Sequence, residues 1–261
     1  MNSSYLDPIA IKFGPFEVYW YGLIMATAVF IGLVLAMKEA ERREIDPDLI
    51  IDLVVSVLPL SIIGARAYYV IFEWSYYAQH PQEIIAIWHG GLAIHGAIIG
   101  ALIGGIIFAK VKNLSFGKLT DIAAPSFILG QAIGRWGNFM NQEAHGGPVS
   151  RSFLENLNLP HWIIEQMQIQ GTYYHPTFLY ESIWNLLVFL FLTFYWKKEE
   201  FLKPGEVFLT YISLYSIGRF FIENMRTDSL MWGNLQVAQG ISIVIILTSL
   251  GLAYYKHRIK N

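Results

Sequence analysis

Apolar residues in this chain come in runs long enough to cross a bilayer, and polar residues gather between the runs. Val18–Met37 and Gln239–Tyr255 are the clearest runs, followed by Ile50–Phe72, Gly90–Ala109, Tyr180–Trp196 and Glu206–Ile222. A seventh, Ile122–Gly137, is shorter and is interrupted by Pro125 and several glycines. A helix of about 20 apolar residues spans the hydrocarbon core. A water-soluble protein rarely holds so many such runs without amphipathic faces. The pattern therefore predicts an all-α polytopic membrane protein of about seven transmembrane helices, with residues 1–261 forming one integral membrane domain. The first run has no cationic leader and no convincing small-residue cleavage site, so it is expected to be a span and not a signal peptide.

The basic residues orient these spans. Lys38, Arg42 and Arg43 follow the first run; Lys110, Lys112 and Lys118 follow the third. Lys197, Lys198 and Lys203 follow the fifth, and Lys256, Arg258 and Lys260 follow the seventh. These are 12 of the 18 basic residues, all in connections of one parity. The positive-inside rule then places the N-terminus outside and the C-terminus in the cytoplasm. It also puts residues 144–174, rich in Asn, Gln and aromatics, outside as a small head inserted in the membrane domain. Composition adds little beyond exclusions. At 54% apolar and 15% charged the chain fits a membrane, and a net charge of −2 gives no reason to expect nucleic acid. With no cysteine, disulfides and thiolate metal sites are excluded, and any thiol chemistry needs a partner's thiol.

With the orientation fixed, ionisable residues within the runs fall at one depth. Arg66 lies near the outer end of the second span, His95 near the outer start of the third, and Arg135 and Asn138 near the outer end of the fourth. The fifth begins with His175, Tyr180 and Glu181, and the sixth ends with Arg219, Glu223 and Arg226. Tyr215, Arg219, Glu223 and Arg226 are spaced to share one helix face. Gly96, Gly100 and Gly104 form a ridge that lets a neighbouring helix approach closely. An arginine inside a span costs roughly 2.5–3.5 kcal/mol at mid-depth, less near the interface. Repetition of that cost at one level predicts a shared polar cavity suited to an anionic phospholipid. Each group alone also has a plainer role: Arg66 as a snorkelling cation, Arg219 with Glu223 as an interhelical tie, His95 as a hydrogen-bonded interior histidine, Trp20 as part of an interfacial belt.

One stretch is more specific. Gly134-Arg135-Trp136-Gly137-Asn138-Phe139-Met140-Asn141-Gln142-Glu143-Ala144-His145-Gly146 resembles the G-R-x-G-N-F-x-N-x-E-x-x-G signature of bacterial prolipoprotein diacylglyceryl transferases, with every fixed position present. Further segments resemble the same family: Trp20-Tyr21-Gly22, His95-Gly96 after Gly90-Gly91, His175-Pro176-Thr177 followed by Tyr180-Glu181, and Arg219 through Arg226. The resemblance covers nearly the whole chain, although no motif matches between Pro148 and Thr172. It implies a transferase of the bacterial cytoplasmic membrane, working toward the outer leaflet. Such an enzyme moves the diacylglyceryl group of phosphatidylglycerol onto the lipobox cysteine of a prolipoprotein signal peptide, releases glycerol phosphate, and uses no metal or organic cofactor.

Chemistry assigns roles within that implication. A thiolate must form, so a base is needed, and His95 fits by residue type and depth. Negative charge gathers on the departing phosphate, which Arg135 and Arg219 can meet with bidentate forks. Tyr21, Asn138, Glu143, Gly146, His175, Tyr180, Glu223 and Arg226 complete the expected substrate-binding set. Glu143 is expected either to hold the lipid's glycerol hydroxyls or to orient an arginine. A transporter would instead carry polar groups through both leaflets or paired broken helices. A lipid-binding scaffold would need the arginines but no histidine base.

Overall fold

The computed structural model describes residues 6–195, 202–233 and 235–258. Trp196, Lys197, Lys198 and Lys260, which the sequence pattern assigns to a span end and to inside connections, lie outside the described residues. A hairpin of β1 (Ile9–Phe13) and β2 (Phe16–Tyr19) leads into α1 (Trp20–Arg42). Then come α2 (Asp48–Phe72), the single turn α3 (Trp74–Tyr77), two 3₁₀ turns, α4 (Ile94–Val111) and α5 (Phe116–Met140). The segment after α5 holds β3 (Pro148–Val149), α6 (Arg151–Asn156), α7 (His161–Gln166), β4 (Gln168–Ile169) and β5 (Thr172–Tyr174). It is followed by α8 (Thr177–Tyr195), α9 (Glu206–Glu223), the hairpin β6 (Met231–Trp232) and β7 (Leu235–Gln236), and α10 (Val237–Arg258).

Each of the seven apolar runs has a helix over most of its described residues, and five of the helices are long and apolar enough to cross a membrane: α1, α2, α4, α8 and α10. The other two differ for a readable reason. Helix α9 carries Glu206, Arg219 and Glu223 within its 18 residues, and α5 carries Lys118, Asp121 and Arg135 with several more polar side chains. Pro125 does not interrupt α5, which continues through it for 25 residues in all. The all-α expectation misses three small sheets: the β1–β2 hairpin, the β6–β7 hairpin and a three-stranded sheet of order β3-β5-β4. Their strands have two to five residues, too short to print an alternating pattern on the sequence.

Two compact units divide the chain, one of Ala36–Thr120 and one of Met1–Leu35 with Asp121–Asn261. In the first, α2 and α4 pack backbone to backbone. A Cβ on Gly96 would strike the carbonyl of Gly64, one on Gly64 the carbonyl of Gly96, and one on Gly100 the carbonyl of Leu60. The glycine ridge predicted from Gly96, Gly100 and Gly104 thus meets α2, and Gly64 is its counterpart. Ser61 Oγ donates across the same seam to the carbonyl of Ala97 at 3.0 Å.

Arg66 has a structural task in this unit. Its buried guanidinium donates to the carbonyls of Ile84, Gly90 and Gly91 at 2.8, 2.8 and 2.9 Å, and also to that of Glu83, while lying over the Tyr77 ring. It is not a snorkelling cation. It fastens the connection between α2 and α4, because a buried guanidinium keeps its charge and needs several acceptors at once.

In the second unit, α8, α9 and α10 pack in sequence. Trp184 lies across Gly218, where a Cβ would collide with its ring, and its Nε1 donates to the carbonyl of Leu214 at 2.9 Å. The N-terminus of α9 is capped from a distance. Asp121 accepts the backbone N–H of Gly205 at 2.6 Å and of Phe208 at 2.9 Å. A carboxylate is well suited to the positive end of a helix dipole. The 144–174 segment builds its own small core of Leu154, Ile163, Ile164 and Met167 on Phe139 of α5 and Phe178 of α8. Fully buried Gln166 joins it to α5, donating to the carbonyls of Phe139 and Met140 at 3.2 and 3.3 Å. Those carbonyls are among the last of the helix, which have no partner within it.

Candidate active site

The signature stretch begins on the last turns of α5. A Cβ on Gly137 would stand 2.8 Å from the Tyr21 ring, so the missing side chain is what admits the tyrosine. After Met140 the backbone turns back through two residues with positive φ, Gln142 at 53° and Ala144 at 56°. Asn138 bridges the turn: its Nδ2 donates to Glu143 Oε1 at 2.8 Å, and its backbone carbonyl accepts the N–H of Glu143 at 3.0 Å.

Beyond the turn, Gly146 threads between two helix ends. Its N–H donates to the carbonyl of His175 and that of Gly147 to Met225, at 3.0 and 2.9 Å. Thr177 Oγ1 donates to the carbonyl of Ala144 at 2.7 Å. A Cβ on Gly146 would lie 2.6 Å from that of His175 and 2.8 Å from the Met225 oxygen, so only glycine fits. The stretch thereby ties the end of α5 to the start of α8 and the end of α9.

These ties bring the charged residues together around Glu181, which is 4% exposed. Arg135 Nε stands 2.9 Å from Glu181 Oε2, while Arg226 Nη1 and Arg219 Nη1 approach Glu181 Oε1 at 3.3 and 3.5 Å. Arg135 also donates from Nη1 to Asn138 Oδ1 at 3.3 Å. Arg219 Nη2 pairs with buried Glu223 at 2.5 Å, one helical turn on, as the spacing along α9 predicts. Arg226 forms a two-point fork with Asp228, Nε to Oδ1 at 2.9 Å and Nη2 to Oδ2 at 2.6 Å. Burial works against charge on both members of that last pair. Even so, their mutual attraction holds Arg226 above the ordinary arginine value and Asp228 below the ordinary carboxylate value.

Exposure separates the arginines by task. The side chains of Arg135 and Arg219 are 19% and 20% exposed, whereas Arg226 is 9% exposed and forked to Asp228. Asn138 and Glu143 join the group through Arg135. His175 and Tyr180 stand beside it at the start of α8, with His175 Nδ1 3.3 Å from the Tyr180 hydroxyl. Burial lowers the His175 pKa, favouring the neutral ring.

His95 belongs to the other unit, Ala36–Thr120. It is the second residue of α4, exposed, with its ring 5.9 Å from that of Tyr68. The plainer role, a hydrogen-bonded interior histidine, does not hold: among the described residues His95 has no hydrogen-bond partner. Asp228 escapes the sequence reading, and Glu181, placed there at the start of the fifth span, is not among its site residues. The signal for Glu181 is present, since it is the only carboxylate in α8.

The fold and this cluster define a multi-pass helical membrane protein in which partly exposed arginines pair with the buried carboxylates Glu181 and Glu223 near the ends of α5, α8 and α9. A profile described as prolipoprotein diacylglyceryl transferase matches residues 8–255. The chain is 58% identical to a phosphatidylglycerol–prolipoprotein diacylglyceryl transferase of Geobacillus kaustophilus over 248 residues, 95% of this chain and 91% of that one. It is 59% identical to the protein of the same name from Bacillus licheniformis over 252 residues, covering 96% and 93%. With that of Listeria innocua the identity is 55% over 251 residues, covering 96% and 90%. The chain belongs to the prolipoprotein diacylglyceryl transferase family.

Proposed function

We propose that this protein transfers the diacylglyceryl group of phosphatidylglycerol to the thiol of a lipobox cysteine in a prolipoprotein signal peptide, the first step of lipoprotein maturation. The observation that carries the reading is the convergence of Arg135 and Arg219, each partly exposed, on one buried carboxylate. The cysteine thiolate attacks the glycerol carbon that bears the phosphate. A carbon–sulfur bond forms, the carbon–oxygen bond breaks, and glycerol phosphate leaves with the electron pair. Negative charge moves from sulfur to phosphate, so cations fixed at the phosphate stabilise the transition state more than the ground state. Arg135 and Arg219 take that role.

Glu223 sets the guanidinium of Arg219, and Arg226, held by Asp228, stands at the margin. Asn138 and Glu143 present a donor and an acceptor to the glycerol hydroxyls, while Tyr21, Gly146, His175 and Tyr180 shape the surroundings. His95 takes the thiol proton. Seven spans with the N-terminus outside, the 144–174 head outside, and a site facing the outer leaflet of the bacterial cytoplasmic membrane complete the reading. Its support is the alternation of basic connections.

The test uses the full chain in nanodiscs containing phosphatidylglycerol, with a lipobox peptide whose mass is followed. The cysteine peptide should gain one diacylglyceryl group and its serine counterpart none. His95→Gln should slow the gain near pH 7 and recover toward pH 9, where the peptide thiol ionises without help. A His95→Gln variant with full rate at pH 7 removes the histidine from the proton's path.

A further inference from the structure

The transfer requires cations at the phosphate, but it does not require the carboxylate that the three arginines share. Glu181 is the one charged residue of α8, and ionised groups buried within a mostly apolar helix are stable only when paired. One arginine would satisfy that need; Glu181 has three. From the arginines' side the arrangement has a purpose. Three guanidinium groups converging on one point repel each other unless an anion lies between them.

Arg135, Arg219 and Arg226 pair directly with three carboxylates, Glu181, Glu223 and Asp228, and Glu143 stands one step further off, through Asn138. Arg226 gives its fork to Asp228, and Arg219 gives one edge to Glu223. Arg135 has no other carboxylate partner among the described residues; its second partner is the neutral Asn138. The two contacts on the shared Oε1, at 3.3 and 3.5 Å, are longer than the 2.9 Å contact on Oε2. Long contacts on a shared oxygen are the ones an incoming anion displaces most easily.

We propose that Glu181 is a positioning residue that stands in for the lipid phosphate. It holds Arg135 and Arg219 in register between turnovers and competes with phosphate for them. The competition weakens the hold on the anionic product and lets glycerol phosphate leave. This inference rests on the transferase reading above. Its consequence concerns affinity as well as rate: with the carboxylate neutralised, one negative charge is lost from between the arginines and the cluster binds anions more tightly.

The experiment compares the wild type with Glu181→Gln and Glu181→Asp in nanodiscs, each corrected for folded fraction by thermal unfolding. Two quantities are measured: transfer kinetics with the lipobox peptide, and calorimetric binding of glycerol phosphate, with inorganic phosphate as a second probe. Glu181→Gln should lower kcat about tenfold without raising KM for phosphatidylglycerol, and should bind glycerol phosphate about tenfold more tightly. Glu181→Asp, with its carboxylate drawn back, should fall between the two. Unchanged glycerol phosphate affinity in the folded variants overturns the proposal, as does a loss of rate that tracks the folded fraction alone. Failure of both variants to fold also overturns it, leaving Glu181 a structural tie. A wild type that transfers nothing would refute the function and not this inference, because the calorimetric comparison does not depend on turnover.

Discussion

Arg135 and Arg219 carry guanidinium groups, and their difference from lysine is geometric. A guanidinium offers parallel N–H groups to two oxygens, whereas an ammonium is a point charge on a flexible stem. Arg135→Lys and Arg219→Lys should therefore each lower kcat/KM by roughly ten- to a hundredfold, the worth of about 1.5–3 kcal/mol for one charge-assisted contact felt in the transition state. Glu223→Gln should cost less than Arg219→Ala, since it weakens an orienting contact and leaves the cation present. Steady-state kinetics with folding checked separately decides this, and wild-type rates in both lysine variants would make the arginines ties between helices. Residues of this kind were legible in the sequence because polar groups in an apolar chain stand out and the signature stretch concentrates them. Glu181 was less legible: within a helix it is one acidic residue, and only the approach of α5 and α9 makes it the common partner of three arginines. The partners of Arg66 were not legible for a related reason, since no periodicity tells which loop carbonyls will fold onto a buried guanidinium.

Among the elements, α5 and α9 bear the arginines proposed to hold the phosphate, and neither is among the helices long and apolar enough to cross a membrane. Their polar residues include structural ones at the ends away from the arginines. Asp121 caps α9 from α5, taking the place of the side-chain cap that Gly205, in the left-handed conformation at φ 94°, does not provide. Asp121→Ala would strand the N–H groups of Gly205 and Phe208 in a buried setting and should lower stability by about 0.5–2 kcal/mol. The measurement is thermal unfolding in detergent, and an unchanged midpoint would mean that water or another group caps the helix. Helix existence was readable from apolar run length, and the α2–α4 seam from the spacing of Gly96, Gly100 and Gly104. The hairpins and the 144–174 sheet were not readable, because strands of two to five residues are fixed by the contacts of their ends more than by their own pattern.

Over the whole molecule, function depends on which membrane face the site meets. Basic residues in alternate connections predict that reporters fused after Lys38, Lys112, Lys198 and the C-terminus report the cytoplasm. Those near Tyr76, Asn158 and Thr227 should report the outside. A cytoplasmic signal from Asn158 would put the Glu181 cluster on the wrong side for a secreted peptide and would contradict the proposed orientation. The central claim is one displacement in which a thiolate expels glycerol phosphate from a lipid held by arginines. It is tested most directly by a single-turnover experiment in nanodiscs, using phosphatidylglycerol labelled separately in an acyl chain and in the terminal glycerol. The account predicts that acyl label enters the cysteine peptide as a thioether while terminal-glycerol label is released as glycerol phosphate, one for one and with the same rate constant. Release of glycerol phosphate without thioether, or acyl label bound to the peptide as a hydroxylamine-labile thioester, would contradict it.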